Sequence, residues 1–244
     1  MKKFELTSEF ITNILGTKLF RIKALMEFGD VKAGDLGGYI EKEENLDHDG
    51  DAWVCGNAEV YGNAWVCGNA WVCGDARVYD NARVYGDAWV YGDARVYGDA
   101  EVYGNAWVCG NAWVCGDARV YDNADYAYAH GFGSINRTTT FFRLKDGGVG
   151  VRCGCFYGTL QEFRDRVRKT HGETKKAKEY LLLADLMELR FKEENEDGKT
   201  TDYKTLIEAV ERYVQADSYP KVEVICAILG ISSGESDQDR DGDV

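Results

Sequence analysis

Residues 68–88 read GNAWVCGDARVYDNARVYGDA, and within them Ala-x-Val-x returns every six residues while the residues between change. The pattern runs from Asp51 to Asp122 as twelve uninterrupted hexads of the form [D/N]-A-x-V-[C/Y]-[G/D]. Side chains alternate between the two faces of a strand, so the fixed Ala and Val share one face and the variable x and Cys/Tyr the other. The fixed face is the interior, because position x holds Trp, Arg and Glu interchangeably and only a surface tolerates that mixture. The Gly-Asp, Gly-Asn and Asp-Asn pairs accept tight corners and left-handed backbone. One hexad buries nothing alone. Three make a triangular coil of eighteen residues, whose strands pair in parallel ~4.8 Å from those above and below. Upstream, Ile40 and Leu46 keep the step of six but Val54 follows after eight, which puts a two-residue insertion near Asp47-His48-Asp49.

The chain of 244 residues is 45% apolar, enough to build one elongated domain and a smaller one. A single Pro against 28 largely periodic Gly speaks for repeated turns rather than a linker. Glu5 and Glu9 interrupt the apolar run a signal peptide needs, and no stretch approaches the ~20 apolar residues of a membrane span. The expectation is a cytoplasmic protein with no membrane partner and with reduced thiols. Five of its eight Cys (Cys55, Cys67, Cys73, Cys109, Cys115) share one repeat position with Tyr, which reads as surface filling; neither a metal nor a cofactor is expected. Cys153 and Cys155 alternate around Gly154 and read as small packed thiols on one hairpin face. The net charge of −13 is uneven: residues 51–122 hold ten acids against four bases, residues 123–192 thirteen bases against eight acids.

Beyond Tyr126 the stack needs a cap, since its end exposes strand edges and apolar rungs. TTTFFRLKDGGVGVRCGCF (residues 138–156) reads as a hairpin turning at Asp146-Gly147. Thr159 and Glu162 form a capping box for a helix with Leu160, Phe163 and Val167 inward and Gly172 at its end. A second helix spans Lys175 to Phe191, and two shorter ones follow Asp202 and Pro220. The chain therefore divides into an N-terminal strand cap (1–38), a repeat domain (39–128), an α+β module of hairpin and helices (129–193), a small helical segment (194–232) and a disordered acidic tail (233–244).

The hexads of residues 51–122, with the preceding FGDVKAGDLGGYIEKEENLDHDGDAWV (residues 28–54), resemble the hexapeptide-repeat proteins, the left-handed parallel β-helix family. They are similar in particular to repeat proteins of bacteria, phages and prophages often labelled transferases. The resemblance implies an all-β left-handed parallel β-helix, triangular, with about 18 residues per coil, carrying a C-terminal α+β module; the handedness comes from the family, not from the period. It also implies an alternative function, an acyltransferase using a His base at a subunit interface. His48 in the insertion and His130 after the repeats are the weak candidates for that base, and His171 ends a helix. No His lies within the hexads, and the hexads leave no room for a loop to enclose a substrate. The favoured reading is a non-enzymatic binding scaffold without catalytic residues.

Stepping by eighteen aligns Trp53, Trp71, Trp89 and Trp107 in one outward column, ~14 Å long and too apolar to stay wholly wet. The second column reads Glu59, Arg77, Arg95, Trp113 and the third Trp65, Arg83, Glu101, Arg119. The Trp column, with Arg77 and Arg95, forms the expected binding surface: a subunit or interdomain contact, a ligand or foreign-protein surface, or simple exposed stacking. Residues 58–82 recur unchanged as 100–124. That shift of seven hexads moves the copied pattern one face around the prism, so the column is open to being partly accidental. The expected partners are a second or third copy of the chain and, in a phage setting, a host protein in the bacterial cytoplasm. Arg164 and Arg168 lie along one side of the first C-terminal helix and are expected to dock on the acidic β-helix; nucleic acid is a partner only through this basic helix.

Overall fold

The computed structural model describes residues 2–132 and 137–192; the expected helical segment 194–232 and acidic tail 233–244 lie outside the described residues. The chain opens with an antiparallel hairpin, β1 (Phe4–Thr12) and β2 (Lys18–Ala24), and β2 pairs antiparallel with β3 (Leu36–Ile40). From there pairing turns parallel. Each hexad contributes one two-residue strand, from Trp53–Val54 (β4) and Glu59–Val60 (β5) by sixes to Arg119–Val120 (β15). Three parallel columns result, and β3 joins the second, giving it five parallel rungs and attaching the hairpin to it. The structure is thus a β-solenoid with an eighteen-residue rise.

Register locates the insertion. Tyr39 pairs with Glu59 and Leu46 bridges Val66, both twenty residues on, whereas Trp53 pairs with Trp71, eighteen on. The two extra residues fall between Leu46 and Trp53. All twelve hexad Ala and all twelve Val are at most 1% exposed, because only short side chains fill so narrow a prism. The corner glycines hold φ between +63° and +73°. Asp80 is the only non-glycine at positive φ among the described residues, in one of the two hexads whose corner reads Asp-Asn. Corner amides continue the ladder outside: Asn63 donates to Asn81, which donates to Asp99, at 3.1 and 2.9 Å.

The stack has a polarity that dictates its two caps. Each rung donates its N–H groups to carbonyls of the rung above, as Trp53 N does to Ala70 O at 3.0 Å. The lower edge therefore exposes carbonyls and needs donors, while the upper edge exposes N–H groups and needs acceptors. Below, Lys3, 2% exposed, donates Nζ to Gly50 O at 3.1 Å and Ala52 O at 3.0 Å, and Asn45 Nδ2 donates to Gly62 O and Ala64 O. Burial lowers the Lys3 ammonium pKa, against the pull of Asp47, Asp51 and Asp49. Above, Trp107 N donates to Asn123 Oδ1 at 2.9 Å and Trp113 N to Thr140 Oγ1 at 3.0 Å.

The upper cap is an antiparallel sheet of β16 (Tyr126–Phe132), β17 (Arg137–Arg143), β18 (Val149–Cys153) and β19 (Phe156–Thr159), backed by α1 (Leu160–His171) and α2 (Lys175–Phe191). Thr159 and Glu162 exchange the two bonds of a capping box, and Leu160, Phe163 and Val167 are buried. Phe163 meets Phe141 and Tyr180 edge-on in the core of this module. The expected pairing of Cys153 and Cys155 on one packed face is not what forms. Gly154 takes φ +60° in the tight β18–β19 turn, so Cys155 is exposed and Cys153 half-buried.

Candidate functional site

The Trp column is in register but not uniformly open. Trp53 is only 3% exposed, covered by the Phe28 ring at 5.4 Å, and a Cβ on Gly37 would sit 2.7 Å from its indole. Contrary to the expectation from alternation, Trp53 is therefore core, because the segment between β2 and β3 folds over the first rung. Trp71 is half-buried and stacks on Trp89 (centroids 5.6 Å apart), which leans on Trp107 at 5.9 Å. The open part of the column is Trp89, 40% exposed, Trp107, 51%, and the neighbouring Tyr91. Beside it Cys55 and Cys73 form a disulfide, which corrects the expectation of eight reduced thiols. They occupy adjacent rungs of one column with Cα atoms 4.7 Å apart, so rung spacing itself brings the sulfurs together.

In the other columns charge and aromatic stacking run along the axis. Arg77 pairs with Glu59 at 3.4 Å and Arg119 with Glu101 at 3.6 Å. Tyr61, Tyr79 and Tyr97 stack face to face at 5.0 and 4.9 Å, and burial pushes the Tyr61 phenol up to about 12. Arg77 is thus partnered within its own column, while Arg95 lies over the Trp113 ring at 4.5 Å.

Arg164 takes a different neighbour from the acidic β-helix expected for it. Its side chain, 11% exposed, bonds Asp185 at 2.8 Å and Glu188 at 2.6 Å, so it ties α1 to α2. Arg168 pairs within its own helix with Asp165 at 3.4 Å. What ties this module to the solenoid is instead Arg190 Nη2 donating to Asn123 O at 2.9 Å, together with the β17 contacts at the upper edge.

The two candidate bases sit in opposite caps. His48 stacks on Phe4 at 4.3 Å and accepts at Nδ1 from the Lys3 N–H at 3.2 Å, so it packs the lower cap. His130 is exposed on β16, with Nδ1 2.8 Å from Thr138 Oγ1. Among the described residues no group of three His, Cys, Asp or Glu side chains is placed to hold a metal, and no helix is long and apolar enough to cross a membrane.

Sequence reasoning missed a half-open cavity of about 330 Å³ where the top of the second column meets β17 and β18. Trp113 and Arg95 belong to the repeats, but Arg137 and Arg152 come from the cap. The basic count of residues 123–192 was the only signal, and it pointed to the helices.

The model of the YdcK β-solenoid repeat family matches residues 76–92 and 94–110. The chain carries a β-solenoid repeat. The two matches lie eighteen residues apart, one coil of the structure each. No curated protein matches the chain.

Proposed function

We propose that the protein is a non-enzymatic binding scaffold that self-associates, as a dimer or trimer, through the open end of its Trp column. The observation that carries this is the run of Trp89, Tyr91 and Trp107, three large aromatic side chains 37–51% exposed on one flat parallel sheet. Such a patch is stabilised by burial, and a second copy presents the same ladder at the same spacing under closed symmetry. Aromatic and Arg residues on the remaining columns are of the types that dominate protein recognition. His48 supports the same reading, since its packing against Phe4 and its bond from Lys3 give it a role in the cap. The resemblance of the hexads extends the proposal to a left-handed coil of the hexapeptide-repeat kind, phage- or prophage-encoded, working on a host protein in the bacterial cytoplasm.

Sedimentation equilibrium of the wild type against Trp89→Glu/Trp107→Glu tests the proposal. Both side chains are 40–51% exposed, so the double variant should still fold by circular dichroism, with a lower unfolding midpoint from the lost stacking and the paired carboxylates, and lose self-association. A wild type that stays monomeric as concentration rises, or a variant that associates equally well, would overturn it.

A further inference from the structure

Three arginines line the cavity at the top of the second column. Arg95 lies over the Trp113 ring at 4.5 Å from the rung below, and Arg152 over the same ring at 5.3 Å from β18. Arg137 reaches across the β18–β19 turn, where a Cβ on Gly154 would collide with its guanidinium. Asp93 and Asn111, on corners of adjacent rungs, together with Thr138 and Gly154 complete the lining. Among the described residues none of the three Arg makes an ion pair, whereas Arg77 and Arg119 each find a carboxylate in their own columns. The Nε of Arg152 is buried without a hydrogen-bond partner, and its Nη1 reaches only the Phe156 carbonyl, at 3.4 Å.

Stacking on Trp113 accounts for where Arg95 and Arg152 lie, since each gains a cation–π contact. It does not account for Arg137, nor for collecting three cations in one cavity with Asp93 as the single carboxylate in the lining. Three like charges lining one pocket of about 330 Å³ are offset by an anion of about two charges. Guanidinium forks match tetrahedral oxyanions approached from several sides, whereas a dicarboxylate divides its charge between two centres. A cavity of this size holds a phosphate with a short polar chain attached, whose hydroxyls Asp93 and Asn111 are placed to bind.

We propose that this cavity binds a small hydroxylated phosphomonoester, with Arg95, Arg137 and Arg152 taking the phosphate. The site is independent of the Trp column and of self-association.

Isothermal titration of the full chain, in a buffer free of competing polyanions, tests it with glycerol 3-phosphate, inorganic phosphate and succinate as probes. Glycerol 3-phosphate should bind saturably, one per chain. Arg137→Gln should weaken it at least tenfold, about 1.4 kcal/mol. Arg166→Gln removes the same charge from an exposed position on α1 and should leave affinity unchanged. Succinate should bind at least tenfold more weakly than glycerol 3-phosphate. Equal affinity for inorganic phosphate would assign the site to the phosphate group itself and keep the chemistry. The proposal fails if neither phosphate probe saturates by ~10 mM, if Arg137→Gln binds as the wild type does with the same unfolding midpoint, or if succinate binds as tightly as the phosphates.

Discussion

Replacing Gly86 by Ala separates the two physical demands that a solenoid corner makes. Gly86 holds φ +71°, and an added Cβ would lie 3.0 Å from Gly104 N and 3.3 Å from Gly104 O in the rung above. Both atoms are backbone, and Gly104 O already accepts from Asp87 N at 2.9 Å, so the rung cannot move aside cheaply. Gly147, in the β17–β18 turn, has φ +83° and nothing within 4 Å of its Cβ position. Left-handed backbone costs Ala ~1–2 kcal/mol, offset by ~0.4–1 kcal/mol because Ala restricts the unfolded chain. Gly147→Ala should therefore lose only about 0.5–1 kcal/mol. Gly86→Ala adds overpacking of ~1–3 kcal/mol, for a total of about 2–4 kcal/mol. Urea unfolding followed by far-ultraviolet circular dichroism reads both, provided the denaturant slope is unchanged. If the two variants lose the same stability, close stacking is not what reserves these corners for glycine, and the reasoning fails.

Lys3→Met should cost about 2 kcal/mol in the same assay, because it strips the donor from two carbonyls at the lower edge. Reduction of Cys55–Cys73, or Cys73→Ser, should cost about 3 kcal/mol for its eighteen-residue separation, and mass spectrometry should find the wild type two hydrogens lighter without reductant than after reduction. At alkaline pH the fold should weaken. The Cys67 thiol is pushed up to about 11 and the Tyr61 phenol to about 12, both by burial, so the folded chain keeps protons that the unfolded chain releases from about 9 and 10. Stability from these groups is intact below pH ~9 and falls as pH rises towards 11 and 12, and Cys67→Ser should flatten the first part of that decline.

Much of this architecture is legible in the sequence because a solenoid is nearly one-dimensional. Period six gives the strands, and period eighteen gives the columns. The jump from Leu46 to Val54 gives the insertion, and Thr159 to Glu162 marks the start of α1 through a bond both residues complete locally. The same arithmetic put Cys55 and Cys73 on adjacent rungs; the pair was missed because an expectation about the reducing cytoplasm displaced a spacing that already brought them together. Other features depend on segments packing across the stack, where no period helps. Trp53 is buried because Phe28, twenty-five residues earlier, lies over it. Arg164 faces α2, whose acids lie twenty-one and twenty-four residues away and on the same module. The cavity joins Trp113 to Arg152 across a hairpin whose angle against the prism only the folded structure shows.

Because pairing repeats every eighteen residues, the solenoid acts as an angular dial as well as a spacer. Trp71 and Trp113 occupy equivalent places in the duplicated segments, seven hexads apart, which is two turns and one third of a turn. One joins the Trp column; the other lies under Arg152. Loss or gain of three hexads would translate the upper cap by one rung, ~4.8 Å, and leave its azimuth untouched. Loss or gain of one would swing it a third of a turn, carrying the arginines of β17 and β18 to a different side of the prism from the hairpin of β1 and β2. Chain length modulo three hexads thus sets which faces the two ends present together, and a change in hexad number reorients the ends without changing a single core residue.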